Sequence, residues 1–264
     1  MVSAADRWAS ALAEWAIPGP ILAQAEESPW RLRPESLAET ARLALLSAPT
    51  VTHLRALEEL PEGGSVLDVG AGAGAASLPL AARAGEIVAV DSSGAMLQEL
   101  LVIADGRIRV ATVEGTWPQA AALVAAADVV VCANVAYNVP DLGPFVAALA
   151  AKARRRVVLE LTAAHPQASL NWLWQHFWQL ERPSAPTAEV AAAVVRERLG
   201  VEVAQERWVR PALRGGRSDP ITVAEVRRRL CLTPESDREI AELLRSRAPA
   251  AALEMVTLWW PGSG

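Results

Sequence analysis

Thiols, imidazoles and small aromatics are scarce in this chain: two Cys, three His, one Tyr and two Phe among 264 residues. Cys132 and Cys231 lie far apart, so no disulfide framework is expected, and Cys132 falls in an apolar run as a buried thiol. That cysteine usage sets the cytoplasm as the expected compartment. His53, His165 and His176 have no paired ligand spacing, which argues against a metal centre. Long apolar runs are missing too. The Ala-rich segment around 119–136 is interrupted by Asp128 and Asn134, so no membrane span is expected. Asp6, Arg7 and Glu14 near the start fit neither a signal nor a transit peptide. Basic excess is lacking as well, with a net charge of −5 and a pI near 5.4, which argues against a nucleic-acid surface.

What is present is apolar bulk, 52% of residues, and ten tryptophans. The length suits one large domain with a cap. Trp8, Leu12 and Trp15 recur at helical spacing and predict an amphipathic helix over 3–16. Ser36 with Glu39 predicts a capping box opening a helix to about Leu46, and Val51 to Leu60 a further helix. Residues 1–60 are thus expected as an N-terminal helical cap that covers a ligand mouth. From there to residue 264 a βα alternation predicts a parallel sheet, with strands at 65–69, 86–90, 108–112, 127–133 and 155–161. Helices are expected at 74–83, 94–102, 119–125 and 143–152, with N-caps at Ser92-Ser93 and Asp141. Later come an aromatic helix from Ser169 to Glu181, a helix from Thr187 to Leu199 and a strand from Val201 to Val209. A polar loop from Arg210 to Asp219, helices at 221–230 and 234–247, and a final strand from Leu253 to Trp260 complete the chain. Helical insertions are expected around 165–182 and 220–248.

The pivotal stretch is Ser65 to Ala76: an apolar strand, then Gly70, Gly72 and Gly74. The spacing Gly70, Gly72, Ala75, with Asp91 about 20 residues on, satisfies a dinucleotide fingerprint. A nicotinamide-dependent oxidoreductase is therefore one reading. Two features point elsewhere. Asp68 sits within the strand, where a pyrophosphate would gain nothing from it, and about 60 residues precede it. The run Val66-Leu67-Asp68-Val69-Gly70-Ala71-Gly72-Ala73-Gly74, followed by Val88-Ala89-Val90-Asp91, resembles motifs I and II of the class I S-adenosylmethionine-dependent methyltransferases.

That resemblance implies a Rossmann-like, mostly parallel sheet of seven strands in the order 3-2-1-4-5-7-6, with helices on both faces. It implies S-adenosylmethionine as cofactor and S-adenosylhomocysteine as product. Asp68 and the turn Gly70, Ala71, Gly72 and Gly74 would hold the methionine end. Asp91 would take the ribose hydroxyls, with Ser92 and Met96 beside the adenine. Gly115, Thr116 and Trp117 would border the ring, Thr116 standing where the family often has an acid. Asn134 and Val135 would pass between cofactor and acceptor, and both prolines of an Asn-Pro-Pro-Tyr motif are missing before Tyr137. Tyr137, Glu160 and His165 are candidate catalytic groups at the active edge. The acceptor is expected to be a small, fairly apolar molecule in a pocket that includes Trp30, Tyr137, Trp172 or His176. A catalytically silent module binding the same cofactor is the remaining alternative.

Overall fold

The computed structural model describes residues 2–30, 34–210, 221–246 and 253–264. In chain order the elements begin with four helices: α1 (Ala4–Ala13), α2 (Gly19–Leu22), α3 (Pro34–Leu46) and α4 (Val51–Leu57). There follow β1 (Gly64–Val69), β2 (Ala84–Asp91), α5 (Gly94–Ala104), β3 (Arg109–Glu114), β4 (Ala127–Ala133), α6 (Leu142–Ala151) and β5 (Ala153–Thr162). The last part holds α7 (Asn171–Trp178), α8 (Ala188–Leu199), β6 (Ala204–Val209), α9 (Val223–Arg229), α10 (Asp237–Ser246) and β7 (Glu254–Pro261).

The strands form one sheet in the order β3-β2-β1-β4-β5-β7-β6. β1 to β5 run parallel, and β7 runs antiparallel to both β5 and β6. Continuous apolar runs such as Val129-Val130-Val131 and Val157-Val158-Leu159 are wholly buried because both faces are covered. On one face Trp8, Phe145, Leu149, Val195 and Trp260 pack under α1, α6 and α8. On the other, Ala41, Ala56, Leu78 and Leu100 close the sheet beneath α3, α4 and α5. A third cluster, with Ile17, Leu173, Trp174, Val226, Leu230 and Ile240, joins α7, α9 and α10 to the segment after α1.

Four local expectations are corrected. The stretch 74–83 forms only a 3₁₀ turn at Leu78–Leu80. Pro79 lacks an amide donor and disfavours helical geometry before it, and Gly74 has φ +91°. The stretch 119–125 likewise makes a 3₁₀ turn, Gln119–Leu123. Ser36 is not a cap, since α3 opens two residues earlier on Pro34, a residue suited to a first helical turn. Asp141 occupies an N-cap position without a side-chain hydrogen bond, whereas Ser93 accepts from Met96 N at 3.4 Å. Residues 211–219 of the expected polar loop and the end of the helix expected at 234–247 lie outside the described residues.

Candidate active site

The carboxyl ends of β1 to β5 open into one cavity of about 610 Å³. Such an opening is where open α/β sheets bind ligands, because loops there diverge and leave a crevice. The loop after β1 borders it. Gly70, Gly72 and Gly74 all have positive φ, at 69°, 52° and 91°. Their reasons differ. A Cβ on Gly70 would come within 2.2 Å of Val135 Cγ2, and one on Gly74 would strike Leu78 and Leu100. A Cβ on Gly72 would meet nothing within 4 Å. Gly74 therefore serves packing and does not line the cavity, while Gly72 faces open space.

With no α-helix after this loop, its shape is fixed from β2 instead. Val90 O accepts from Gly70 N at 2.8 Å and from Ala71 N at 3.0 Å. Asp91 Oδ2 accepts from Gly72 N at 2.8 Å, and Oδ1 from Ser93 N at 2.9 Å. Each carboxylate oxygen keeps further lone-pair capacity beyond its one backbone donor.

Gly70, Ala71, Gly72, Asp91, Ser92, Met96, Gly115, Thr116, Trp117, Asn134, Val135 and Glu160 line this cavity together. Trp117 is steadied by donating Nε1 to Phe145 O at 3.2 Å. Asp68 is not part of the lining. It is wholly buried below the loop, and neither carboxylate oxygen has a hydrogen-bond partner. Burial pushes its carboxyl up to about 7; the adjacent Ser77 hydroxyl, itself without a well-formed hydrogen bond, pulls the other way, and the charge of Asp91 adds to the rise.

At the opposite end, Glu160 anchors a buried polar network. Its Oε2 accepts from Thr52 Oγ1 at 2.6 Å, and its Oε1 from Asn134 Nδ2 at 2.8 Å and Arg210 Nη2 at 2.6 Å. Thr52 also bonds Thr257 Oγ1 at 2.8 Å, which accepts from Trp208 Nε1 at 2.9 Å. Asn134 has φ +61°, a conformation Asn tolerates better than most residues, and its amide N donates to Glu160 O at 2.8 Å.

The sequence reading missed part of the lining: His53, Trp208, Arg210 and a wall of α3 that includes Leu37, Thr40 and Ala44. His53 carried a signal, since Thr50-x-x-His53 forms a capping box with the imidazole in the place of a Glu or Gln. Its Nδ1 accepts from Thr50 N at 3.1 Å, so Nε2 carries the proton and donates to Ala75 O at 3.1 Å. Burial holds the ring below the usual imidazole range, against the pull of Ala75 O and Glu160.

Tyr137 and His165, expected at the active edge, lie away from the cavity in an aromatic cluster. His165 stacks on Trp15 at 3.7 Å between ring centres and meets the edge of Tyr137 at 5.2 Å. Tyr137 OH donates to Thr162 O at 2.8 Å, and burial raises its phenol well above the ordinary value. Burial, aided by Arg182, lowers His165 to about 4. These rings sit here because α1 packs against α6 and α8, placing Trp8 and Trp15 over them. The expected aromatic pocket is corrected in the same way. Trp30 is exposed, Trp172 joins the third cluster and His176 pairs with Glu239 at 2.7 Å. None of Trp30, Tyr137, Trp172 and His176 lines the cavity. Among the described residues no His, Cys, Asp or Glu group is arranged to hold a metal, and no helix is long and apolar enough to cross a membrane.

The strand order, the glycine turn and an acid ending β2 define the fold of the class I S-adenosylmethionine-dependent methyltransferases. A family model described as a methyltransferase domain matches residues 43–191, more than half of the chain, and the chain belongs to that family. S-adenosylmethionine is its cofactor. Among solved structures, the YcgJ protein from Bacillus subtilis is similar at 17% identity and TM-score 0.54, over 81% of this chain and 98% of its own. A cyclopropane-fatty-acyl-phospholipid synthase-like protein from Lactobacillus casei gives 16% and 0.55, over 84% and 91%. Magnesium protoporphyrin IX methyltransferase from Synechocystis, solved with S-adenosylhomocysteine bound, gives 15% and 0.52, over 96% and 95%. At these identities the likeness is one of fold. No curated protein matches the chain.

Proposed function

We propose that the cavity holds S-adenosylmethionine along the loops after β1 to β4 and transfers its methyl group to a small acceptor at the Glu160 end. The observation that carries this is the meeting of Asp91, the open face of Gly72 and the Trp117 ring on one cavity. The residues fit the cofactor in charge and shape. Asp91 would take the ribose hydroxyls on its remaining lone pairs, and Met96, Thr116 and Trp117 would border the adenine. Gly70, Ala71, Gly72, Asn134 and Val135 would face the methionine end. The buried, unpaired Asp68 lies outside the lining, and an ammonium group seated on the loop would draw its carboxyl towards ionisation.

When bound, the cofactor supplies a methyl group already activated on a sulfonium, so the protein's main task is to position the acceptor and exclude water. Trp117, Phe145, Trp208 and α3 enclose the site for that purpose. Of the three groups considered as catalytic, Glu160 alone lines the cavity, and its oxygens already receive three donors. Its role in this reading is to hold Asn134 and Arg210 in place. Tyr137 and His165 serve the packing of α1.

Calorimetric titration with S-adenosylhomocysteine tests the site. Asp91→Ala removes charge-assisted hydrogen bonds worth roughly 1.5–3 kcal/mol each, so affinity is expected to fall at least about tenfold. Unchanged affinity would remove Asp91 from the site and the reading with it.

A further inference from the structure

We propose that the acceptor is a planar molecule carrying a carboxylate or an equivalent anion, with Arg210 taking the charge and Trp208 covering the flat face. This rests on the methyltransferase reading above. Both residues come from the end of β6, beyond the span 43–191 matched by the family, and both line the cavity. The acceptor end is thus walled by a part of the chain outside the matched domain.

The two side chains are held in place from behind. Trp208 spends its one polar atom on Thr257, which is tied to Thr52, so the indole meets the cavity as apolar surface. Arg210 is 13% exposed in its side chain and is paired with Glu160. Among the described residues its side-chain bonds, to Glu160 and Asn134, both leave from Nη2. A guanidinium offers five donors in a planar fork suited to a carboxylate, so one nitrogen can be anchored while the others meet a ligand.

The hydrogen-bonding capacity left free in the cavity favours an anion over an amine. Among the described lining residues the charged groups are Asp91, Glu160 and Arg210, because His53 has a lowered pKa and its neutral ring is held on both nitrogens. An ammonium acceptor would need Glu160, whose two oxygens already receive Thr52, Asn134 and Arg210. An anion needs only the donors that Arg210 has left. A bound sulfonium adds a positive charge to the same low-dielectric space, which favours the anion further.

The test is a calorimetric titration of protein saturated with S-adenosylhomocysteine, using benzoate, 2-naphthoate and indole-3-acetate, each against its carboxamide. At least one acid is expected to bind about tenfold tighter than its amide. Arg210→Gln should reduce that ratio to below about threefold, and Arg210→Lys should keep part of it. Binding by none of the acids, an amide equal to its acid, or a preference that survives Arg210→Gln would overturn the proposal. The wild-type ratio decides alone should Arg210→Gln fail to fold. The preceding S-adenosylhomocysteine titration separates the two readings: no binding there overturns the methyltransferase site, while binding without acid preference overturns only the role of Arg210.

Discussion

A carboxylate with no partner inside a sheet is costly to ionise, and Asp68 is such a group. Its pKa of about 7 lies above the ordinary 3.8. The folded state therefore binds this proton more tightly than the unfolded chain does. The contribution is full below about pH 4 and is lost as pH rises through about 7, up to roughly 4 kcal/mol in all. Thermal melts from pH 5 to pH 9 should show this fall in the wild type and not in Asp68→Asn. The same variant should bind S-adenosylhomocysteine more weakly, because its amide cannot ionise in response to the ammonium group. At Gly72, φ is +52° and the space ahead is open. Gly72→Val should abolish cofactor binding in calorimetry, with a lowered melting temperature from backbone strain. A folded variant binding at wild-type strength would place Gly72 away from the ligand.

Among the elements, α1 and α3 divide the tasks expected of a single cap over residues 1–60. α3 borders the cavity through Leu37, Thr40 and Ala44, while α1 covers the aromatic cluster on the other sheet face. Ala44→Trp should fill cavity space and weaken S-adenosylhomocysteine at least about tenfold without a large change in melting temperature. Beneath α1, His165 has its pKa lowered to about 4, so it is folded in neutral form. The stability tied to that state is present above about pH 6.5 and lost as pH falls towards 4, by about 3 kcal/mol at most. His165→Phe keeps the ring stack on Trp15 and should flatten this acid-side loss in melts between pH 4 and 7. Cofactor affinity at neutral pH should stay the same, since neither ring lines the cavity.

At the scale of the molecule, the sheet was legible because period and composition dictate it. Val129-Val130-Val131 and Val157-Val158-Leu159 can be stable only with both faces covered, and the strand at 127–133 is observed with the expected bounds. Asp91 and the glycine turn were legible because few residue types permit a tight turn or end a strand with a charge. The far wall was not. Trp208 meets Thr257 and Arg210 meets Glu160 only through the antiparallel pairing of β6 and β7, and nothing local in the sequence encodes those contacts. The same limit misplaced Tyr137 and His165, which follow β4 and β5 as active-edge residues would but are drawn under α1 by Trp8 and Trp15.

The most direct measurement is a pair of calorimetric titrations of the wild-type protein, one with S-adenosylmethionine and one with NAD. One S-adenosylmethionine is expected to bind per chain, displaced by S-adenosylhomocysteine, with no comparable heat from NAD. Tighter binding of NAD, or no binding of S-adenosylmethionine by folded protein, would contradict the methyltransferase reading.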